Sequence, residues 1–166
     1  MTALTAYDDR SAVFITDAKY RNSRTALRVL THWAVVQLPD DLRGDLEVIT
    51  WAPTTRARRR ERGFDQAELL ARMVGRQLRL PVRRLLRRID GPTQTGRSRA
   101  DRLRGPGFVG RSGRPRVLVV DDVCTTGATL SAAAGALRDL GARKVHGLVL
   151  ARTPEPRDRR DGGRGR

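Results

Sequence analysis

The run Val117-Leu118-Val119-Val120-Asp121-Asp122 leaves this chain few folds to choose from. Four aliphatic residues in a row, three of them β-branched, suit a short central strand covered on both faces. Two carboxylates then arrive together at its carboxyl end. Val123-Cys124-Thr125-Thr126-Gly127-Ala128-Thr129 turns tightly into a helix expected over 128–140, with Leu130, Ala133, Ala134 and Leu137 facing inward and Gly141 as its stop. Each part has a physical use. The start of the helix offers unpaired N–H groups and the positive end of a dipole, which suits a phosphate. Gly127 lets backbone approach a ligand closely, and Thr125, Thr126 and Thr129 add hydroxyl donors. Two carboxylates beside a phosphate repel it unless they bind sugar hydroxyls or Mg²⁺. Together the parts describe a holder for a ribose 5-phosphate. Pieces of the pattern have blander meanings, since an acid pair at a strand end also occurs in phospho-acceptor domains and a Thr-Gly turn can simply cap a helix. Cys124 is read as a small packing residue, because nothing marks it as a thiolate.

The rest of the chain supports a layered α/β fold. Residues 12–16 read as a short strand. A helix capped by Asn22 or Ser23 follows, with Ala26, Leu27, Leu30, Trp33, Ala34 and Leu38 at helical spacing, and Pro39-Asp40-Asp41 ends it. Residues 46–51 form a strand stopped by Pro53, and 54–63 a basic loop. Asp65 and Glu68 form a capping-box-like pair opening a helix that buries Leu69, Leu70, Met73, Val74 and Leu78. Pro81 ends that helix, and 82–87 is the next strand. Residues 88–115 form a long polar loop, of a length that is usually functional or mobile. Residues 145–150 form another buried strand, and the tail 153–166 has the composition of a disordered segment. Alternating strands and helices from 46 to 150 predict a three-layer, mainly parallel sheet with helices on both faces. Ligands of such sheets bind beyond the carboxyl ends of the strands, which singles out loops 52–63, 88–107 and 121–128. We expect one domain over 1–152, with an N-terminal part at 12–45, a core at 46–152 and a basic tail at 153–166.

Charge narrows the partners. The chain carries 34 Lys and Arg against 18 Asp and Glu, net +16. Residues 1–53 are net −1 and residues 117–150 neutral, whereas residues 54–116 carry +14. A potential focused in this way collects polyphosphate or nucleic acid. An Arg-coated solvated surface is the alternative. One cysteine excludes an intrachain disulfide framework or a zinc site built on several thiolates. There is neither a bilayer-length apolar run nor a basic n-region with an apolar stretch, so a cytoplasmic protein without membrane contact is expected.

The thirteen residues 117–129 resemble the signature of type I phosphoribosyltransferases. A second set, Glu61-Arg62-Gly63-Phe64-Asp65-Gln66-Ala67-Glu68-Leu69-Leu70 followed by Arg88, Thr93, Gln94, Gly96, Ser98, Arg102, Gly107 and Phe108, resembles the ComF family. These are phosphoribosyltransferase-like proteins named from bacterial competence for DNA uptake. The likeness runs from about residue 12 to 152. Three features depart from the family pattern. There is no four-cysteine zinc ribbon, Trp51-Ala52-Pro53 replaces Pro-Val-Pro, and Asp65 stands where Asn is usual.

The resemblance implies phosphoribosyl pyrophosphate as ligand with Mg²⁺ as cofactor. Asp121 and Asp122 would hold the ribose hydroxyls and carry the catalytic role. Thr125, Thr126, Gly127, Ala128 and Thr129 would wrap the 5-phosphate. Pro53, Thr54, Thr55 and Arg56 would form the pyrophosphate loop, and Arg99 and Arg102 would close from a lid at 88–105. The reaction would transfer phosphoribosyl to a nitrogen acceptor and release pyrophosphate. Thr125 stands where some purine-salvage relatives carry a carboxylate base, which disfavours hydroxypurine salvage, and His32 and His146 read as structural. The alternative is a non-catalytic nucleotide- or DNA-associated protein acting in competence. Expected partners are phosphoribosyl pyrophosphate, an acceptor the sequence does not specify, nucleic acid bound weakly, and a second copy in a homodimer.

Overall fold

The computed structural model describes residues 2–3, 24–89, 107–110, 113, 115–124 and 126–152. In chain order the elements are β1 (Thr2–Ala3), α1 (Arg24–Val36), α2 (Asp40–Asp45), β2 (Val48–Trp51), α3 (Arg56–Arg62), α4 (Gln66–Leu78), β3 (Leu86–Arg88), β4 (Phe108–Gly110), β5 (Arg116–Cys124), α5 (Ala128–Asp139) and β6 (Lys144–Arg152). The expected strand at 12–16 and the tail 153–166 lie outside the described residues.

Four strands form a sheet in the order β1-β6-β5-β2, every pair parallel. β5 is the central strand that its composition predicts. Val117 pairs with Val48 on one side and Val145 on the other. Side chains alternate across the pleat, so the two faces can be read from the register. Leu118 and Val120 join Ile49, Trp51, Leu148 and Leu150 beneath α1 and α4, together with Leu70 and Val74. Val117 and Val119 join Val48 and Val149 beneath α5, with Leu130, Ala133 and Leu137. Leu118 is fully buried, and its truncation to Ala would cost about 2–5 kcal/mol. Both faces of the sheet are covered, as the unbroken apolar run requires.

Ions hold the sheet at its amino end. Arg116 donates from Nη1 to Asp45 at 3.0 Å and from Nη2 to Glu47 at 3.1 Å, while Lys144 reaches Asp45 at 3.0 Å. The Lys144 hydrogen bond, with the charges of Lys144 and Arg116, holds the Asp45 carboxyl below the usual carboxylate value. These contacts tie the starts of β2, β5 and β6 in register at the end opposite the Asp pair.

Several expectations are corrected. Residues 56–62 are helix, not loop. Thr55 caps α3 by accepting from the Arg58 N–H at 3.3 Å, and Gly63, at φ +77°, closes it by donating to the Arg59 carbonyl. Arg is a good helix former, and basic residues in a last turn suit the dipole. The strand expected at 82–87 is split. Val82 makes an isolated parallel bridge to Ile49 at the sheet edge, and Leu86–Arg88 pairs antiparallel with Phe108–Gly110. The helix ahead of Pro81 closes earlier than the proline, on Arg79 in the left-handed region. Glu68 does not complete a capping box but pairs with Arg72 at 2.8 Å. Trp33, taken as a core residue, is 56% exposed.

Candidate functional site

A cavity of about 410 Å³ opens at the carboxyl ends of β2 and β5. Its lining explains how distant segments meet. β5 delivers Asp121 and Asp122, the first turn of α5 delivers Thr129, and the segment after β2 delivers Ala52, Pro53 and Thr54. α3 contributes Arg58 and Arg62, which lie four residues apart and so on one face of the helix. Asp65, Gln66 and Ala67 come from the start of α4, and Arg88 from the end of β3.

The electrostatics are mixed, with three guanidinium and three carboxylate groups on one cavity. Asp121 accepts from the Asp122 N–H at 2.9 Å. Burial, and then the charge of Asp122, raise the Asp121 carboxyl well above the ordinary value, and Asp65 adds to the rise. Asp65 is buried. Its Oδ2 accepts from the Thr54 N–H at 3.1 Å, while its Oδ1 has no hydrogen-bond partner among the described residues. Although Asp65 sits at the N-cap of α4, its side chain does not cap the helix. It fastens the loop after β2 instead. Arg88 donates to the Pro53 carbonyl at 3.4 Å and lies over the Phe108 ring, 6.0 Å from its centroid. The Pro53–Thr54 segment is thus held from both sides.

The turn into α5 is built as expected. Gly127 occupies the N-cap at φ +76°, a conformation that costs glycine little. Thr126 Oγ1 accepts from the Ala128 N–H at 3.3 Å, so one helix-start amide is met by a side chain that a phosphate could replace.

Of the predicted residues, the structure brings Pro53, Thr54, Asp121, Asp122 and Thr129 onto one cavity. Thr126, Gly127 and Ala128 form the adjoining turn. Thr55 and Arg56 are the cap and first residue of α3 and do not line the cavity. Thr125, Arg99 and Arg102 lie outside the described residues. Sequence reasoning did not select Arg58, Arg62, Asp65, Gln66 or Arg88 as site residues. The signal for four of them was present, since Arg62, Asp65, Gln66 and Arg88 belong to the second motif. Arg58 could not be told from its neighbours while 54–63 was read as a loop. His32 is exposed and edge-on to Trp33, and His146 lies in β6. Neither lines this cavity.

Among the described residues no group of three or more Asp, Glu, His or Cys is placed to hold a metal ion. A protein-only metal cage is therefore not what these acids form. They suit Mg²⁺ in its common mode, with one or two carboxylates and the remaining positions filled by water and ligand phosphate oxygens.

A parallel sheet whose central strand ends in two acids, and turns through a left-handed Gly into a helix start beside an Arg-lined cavity, defines an α/β protein with its candidate site at the carboxyl ends of the strands. Comparison with known proteins shows what this chain is similar to. A Phosphoribosyl transferase domain matches residues 112–164. Competence protein F of Haemophilus influenzae is 36% identical over 115 residues, covering 64% of this chain and 50% of that protein. Competence protein ComFC of Bacillus subtilis is 32% identical over 111 residues, covering 64% and 45%. A purine phosphoribosyltransferase structure from Pyrococcus horikoshii Ot3 has a TM-score of 0.49 at 21% identity, with 75% of each chain covered. The sequence relatives and the domain match support a likeness to the phosphoribosyltransferase-like proteins of the ComF family. The chain spans about half the length of the curated relatives it matches. Among the described residues no helix is long and apolar enough to cross a membrane.

Proposed function

We propose that the cavity binds phosphoribosyl pyrophosphate with Mg²⁺, and that the protein transfers the phosphoribosyl group to a nitrogen acceptor. The observation that carries this reading is the joint lining of one cavity by Asp121, Asp122 and Thr129 together with Arg58, Arg62 and Arg88. A ligand with sugar hydroxyls at its centre and phosphates at both ends satisfies both sets. Asp121 and Asp122 hold the 2- and 3-hydroxyls. The turn from 125 to 129 takes the 5-phosphate. Thr54 and the arginines of α3 and β3 take the pyrophosphate, and charge-assisted hydrogen bonds from guanidinium suit that anion. Bound with the ligand, Mg²⁺ supplies neutralising charge to the leaving group. In the reaction the bond from C1 to pyrophosphate breaks, a C1–N bond forms, the nitrogen loses a proton and pyrophosphate departs. The arginines stabilise the charge that develops on the departing oxygen. Calorimetry with phosphoribosyl pyrophosphate, with and without Mg²⁺, tests the binding. An assay of pyrophosphate release across a panel of bases and amines tests the transfer. Absence of Mg²⁺-dependent binding sinks the proposal.

A second reading is a non-catalytic role with DNA in competence, as the names of the relatives suggest. One observation favours it. Arg59 and Arg60 of α3 are exposed and turned away from the cavity, so part of the charge is free to meet an anion too large to enter. Low aromatic content, 4%, gives such binding no stacking platform. Nucleic-acid binding that is tight at physiological salt, without pyrophosphate release on any acceptor, favours this second reading.

A further inference from the structure

The two carboxylate oxygens of Asp65 stand in different situations. Oδ2 accepts from the Thr54 N–H at 3.1 Å, and this bond holds the loop after β2. An amide oxygen could accept the same bond, so the clamp by itself does not require a charged side chain. Oδ1 is buried and has no hydrogen-bond partner among the described residues. The residue is 6% exposed and lines the same cavity as Asp121 and Asp122. Its charge acts on the Asp121 carboxyl. A buried carboxylate oxygen left unpaired is destabilising. A cation within reach, or water held by a cation, relieves it.

The charges on the cavity show what that carboxylate changes. Arg58, Arg62 and Arg88 bring three positive groups, and Asp65, Asp121 and Asp122 bring three carboxylates. The described lining is therefore formally balanced, although the chain as a whole is net +16. A balanced lining has no excess charge with which to draw in a bare polyphosphate. The same anion carrying a divalent cation satisfies both halves of the lining, because the cation meets the carboxylates and the phosphate oxygens meet the arginines. A neutral residue at position 65 would tip the balance toward the bare anion.

We propose that Asp65 is a specificity-determining residue, which makes the cavity reject metal-free polyphosphate and select the form complexed with a divalent cation. The proposal rests on the reading of this cavity as a phosphoribosyl pyrophosphate site and states which form of the ligand that site admits. Asp65 is bonded to the Thr54 amide, so its charge stands at the end of the cavity assigned to pyrophosphate, where the ligand is most negative. It acts through that charge and not as a metal ligand. This agrees with the absence, among the described residues, of a group of three acids, histidines or cysteines placed to hold an ion.

Calorimetry with inorganic pyrophosphate at neutral pH and fixed ionic strength, in Mg²⁺ and in EDTA, is the test. The wild type should bind pyrophosphate with Mg²⁺ and only weakly in EDTA. Asp65→Asn keeps an acceptor for the Thr54 N–H, so its urea unfolding should stay close to that of the wild type. Its affinity for pyrophosphate in EDTA should rise about tenfold, the order expected for removing one like charge from a partly buried site. The gain in affinity from Mg²⁺ should shrink by a similar factor. A residue that only held the loop would move neither quantity, because Asn holds it too. Asp65→Ser, neutral and a favoured helix cap, makes the same comparison if the Asn protein does not fold. Pyrophosphate binding whose Mg²⁺ dependence is unchanged in the folded variant overturns this proposal and leaves the cavity assignment standing. A loss confined to the Mg²⁺ complex, with affinity in EDTA unchanged, also overturns it, since Asp65 would then be a metal ligand. No pyrophosphate binding by the wild type in either buffer overturns both the proposal and the assignment.

Discussion

At the end of β5, the role proposed for Asp121 is set against the stability of the free fold. Burial and the Asp122 charge raise the Asp121 carboxyl, so the folded chain holds that proton more tightly than the unfolded chain does. The stability Asp121 contributes is full below the ordinary carboxylate value and is lost as pH rises through the raised folded value. At neutral pH the free protein therefore carries an electrostatic cost at Asp121. Asp121→Asn should raise the thermal midpoint of the free protein at pH 7, with a smaller gain at pH 4, which scanning calorimetry can check. Joined with Asp122→Asn, it should abolish Mg²⁺-dependent phosphoribosyl pyrophosphate binding while the fold survives. Unchanged affinity in the double variant would count decisively against the site. Asp65 divides into two testable halves. Asp65→Asn keeps an oxygen able to accept from the Thr54 N–H, so urea unfolding should show stability close to wild type. Asp65→Ala leaves that N–H without its partner and should lose about 1–3 kcal/mol.

At the scale of elements, α3 and the turn into α5 would serve the proposed anion site by different means. The turn works through backbone, and Gly127→Val tests it. A β-branched residue at φ +76° is strained by roughly 1–2 kcal/mol and sets its side chain where phosphate approaches. Small-ligand affinity should fall at least tenfold, while DNA binding stays as in the wild type. DNA binding lost together with small-ligand binding would instead make the turn the DNA contact. α3 works through side-chain direction. Arg58 and Arg62 line the cavity and Arg59 and Arg60 do not. Arg58→Ala with Arg62→Ala should weaken phosphoribosyl pyrophosphate binding without much change in DNA binding, and Arg59→Ala with Arg60→Ala should do the reverse. Titrating both ligands against both pairs checks this. The sequence could not sort these arginines, because a run of like residues has no pattern to read until its helical phase is known.

For the molecule as a whole, charge is unevenly distributed. The sheet is pinned at its amino end by Asp45, Glu47, Arg116 and Lys144, and its carboxyl end opens onto the cavity. The +14 of residues 54–116 should give sequence-independent DNA binding that falls steeply with salt, because each neutralised phosphate releases counterions. Phosphoribosyl pyrophosphate binding should depend on Mg²⁺ and much less on salt. Filter binding and calorimetry at two salt concentrations separate the two, and a steep salt dependence shared by both ligands would mean that the small ligand also binds only through diffuse charge.

The sequence by itself determined the central strand, the acid pair at its end, the turn through Gly127 and the helix beyond it. Each of these is local, and an unbroken apolar run or a cap can be read from neighbouring residues. It also placed α1 and α4, whose apolar residues recur at helical spacing over three turns. Tertiary structure alone decided three other things. Asp65 has the sequence of a helix cap, yet it turned to the Thr54 amide, because the loop after β2 brings a buried donor within its reach. The arginines of 54–63 were sorted into cavity and surface by a helix whose start and stop rest on Thr55 and Gly63. Trp33 has the spacing of a core residue, but α1 offers more apolar positions than one sheet face can cover, and packing geometry chose Leu27, Ala34 and Val35 for the inside.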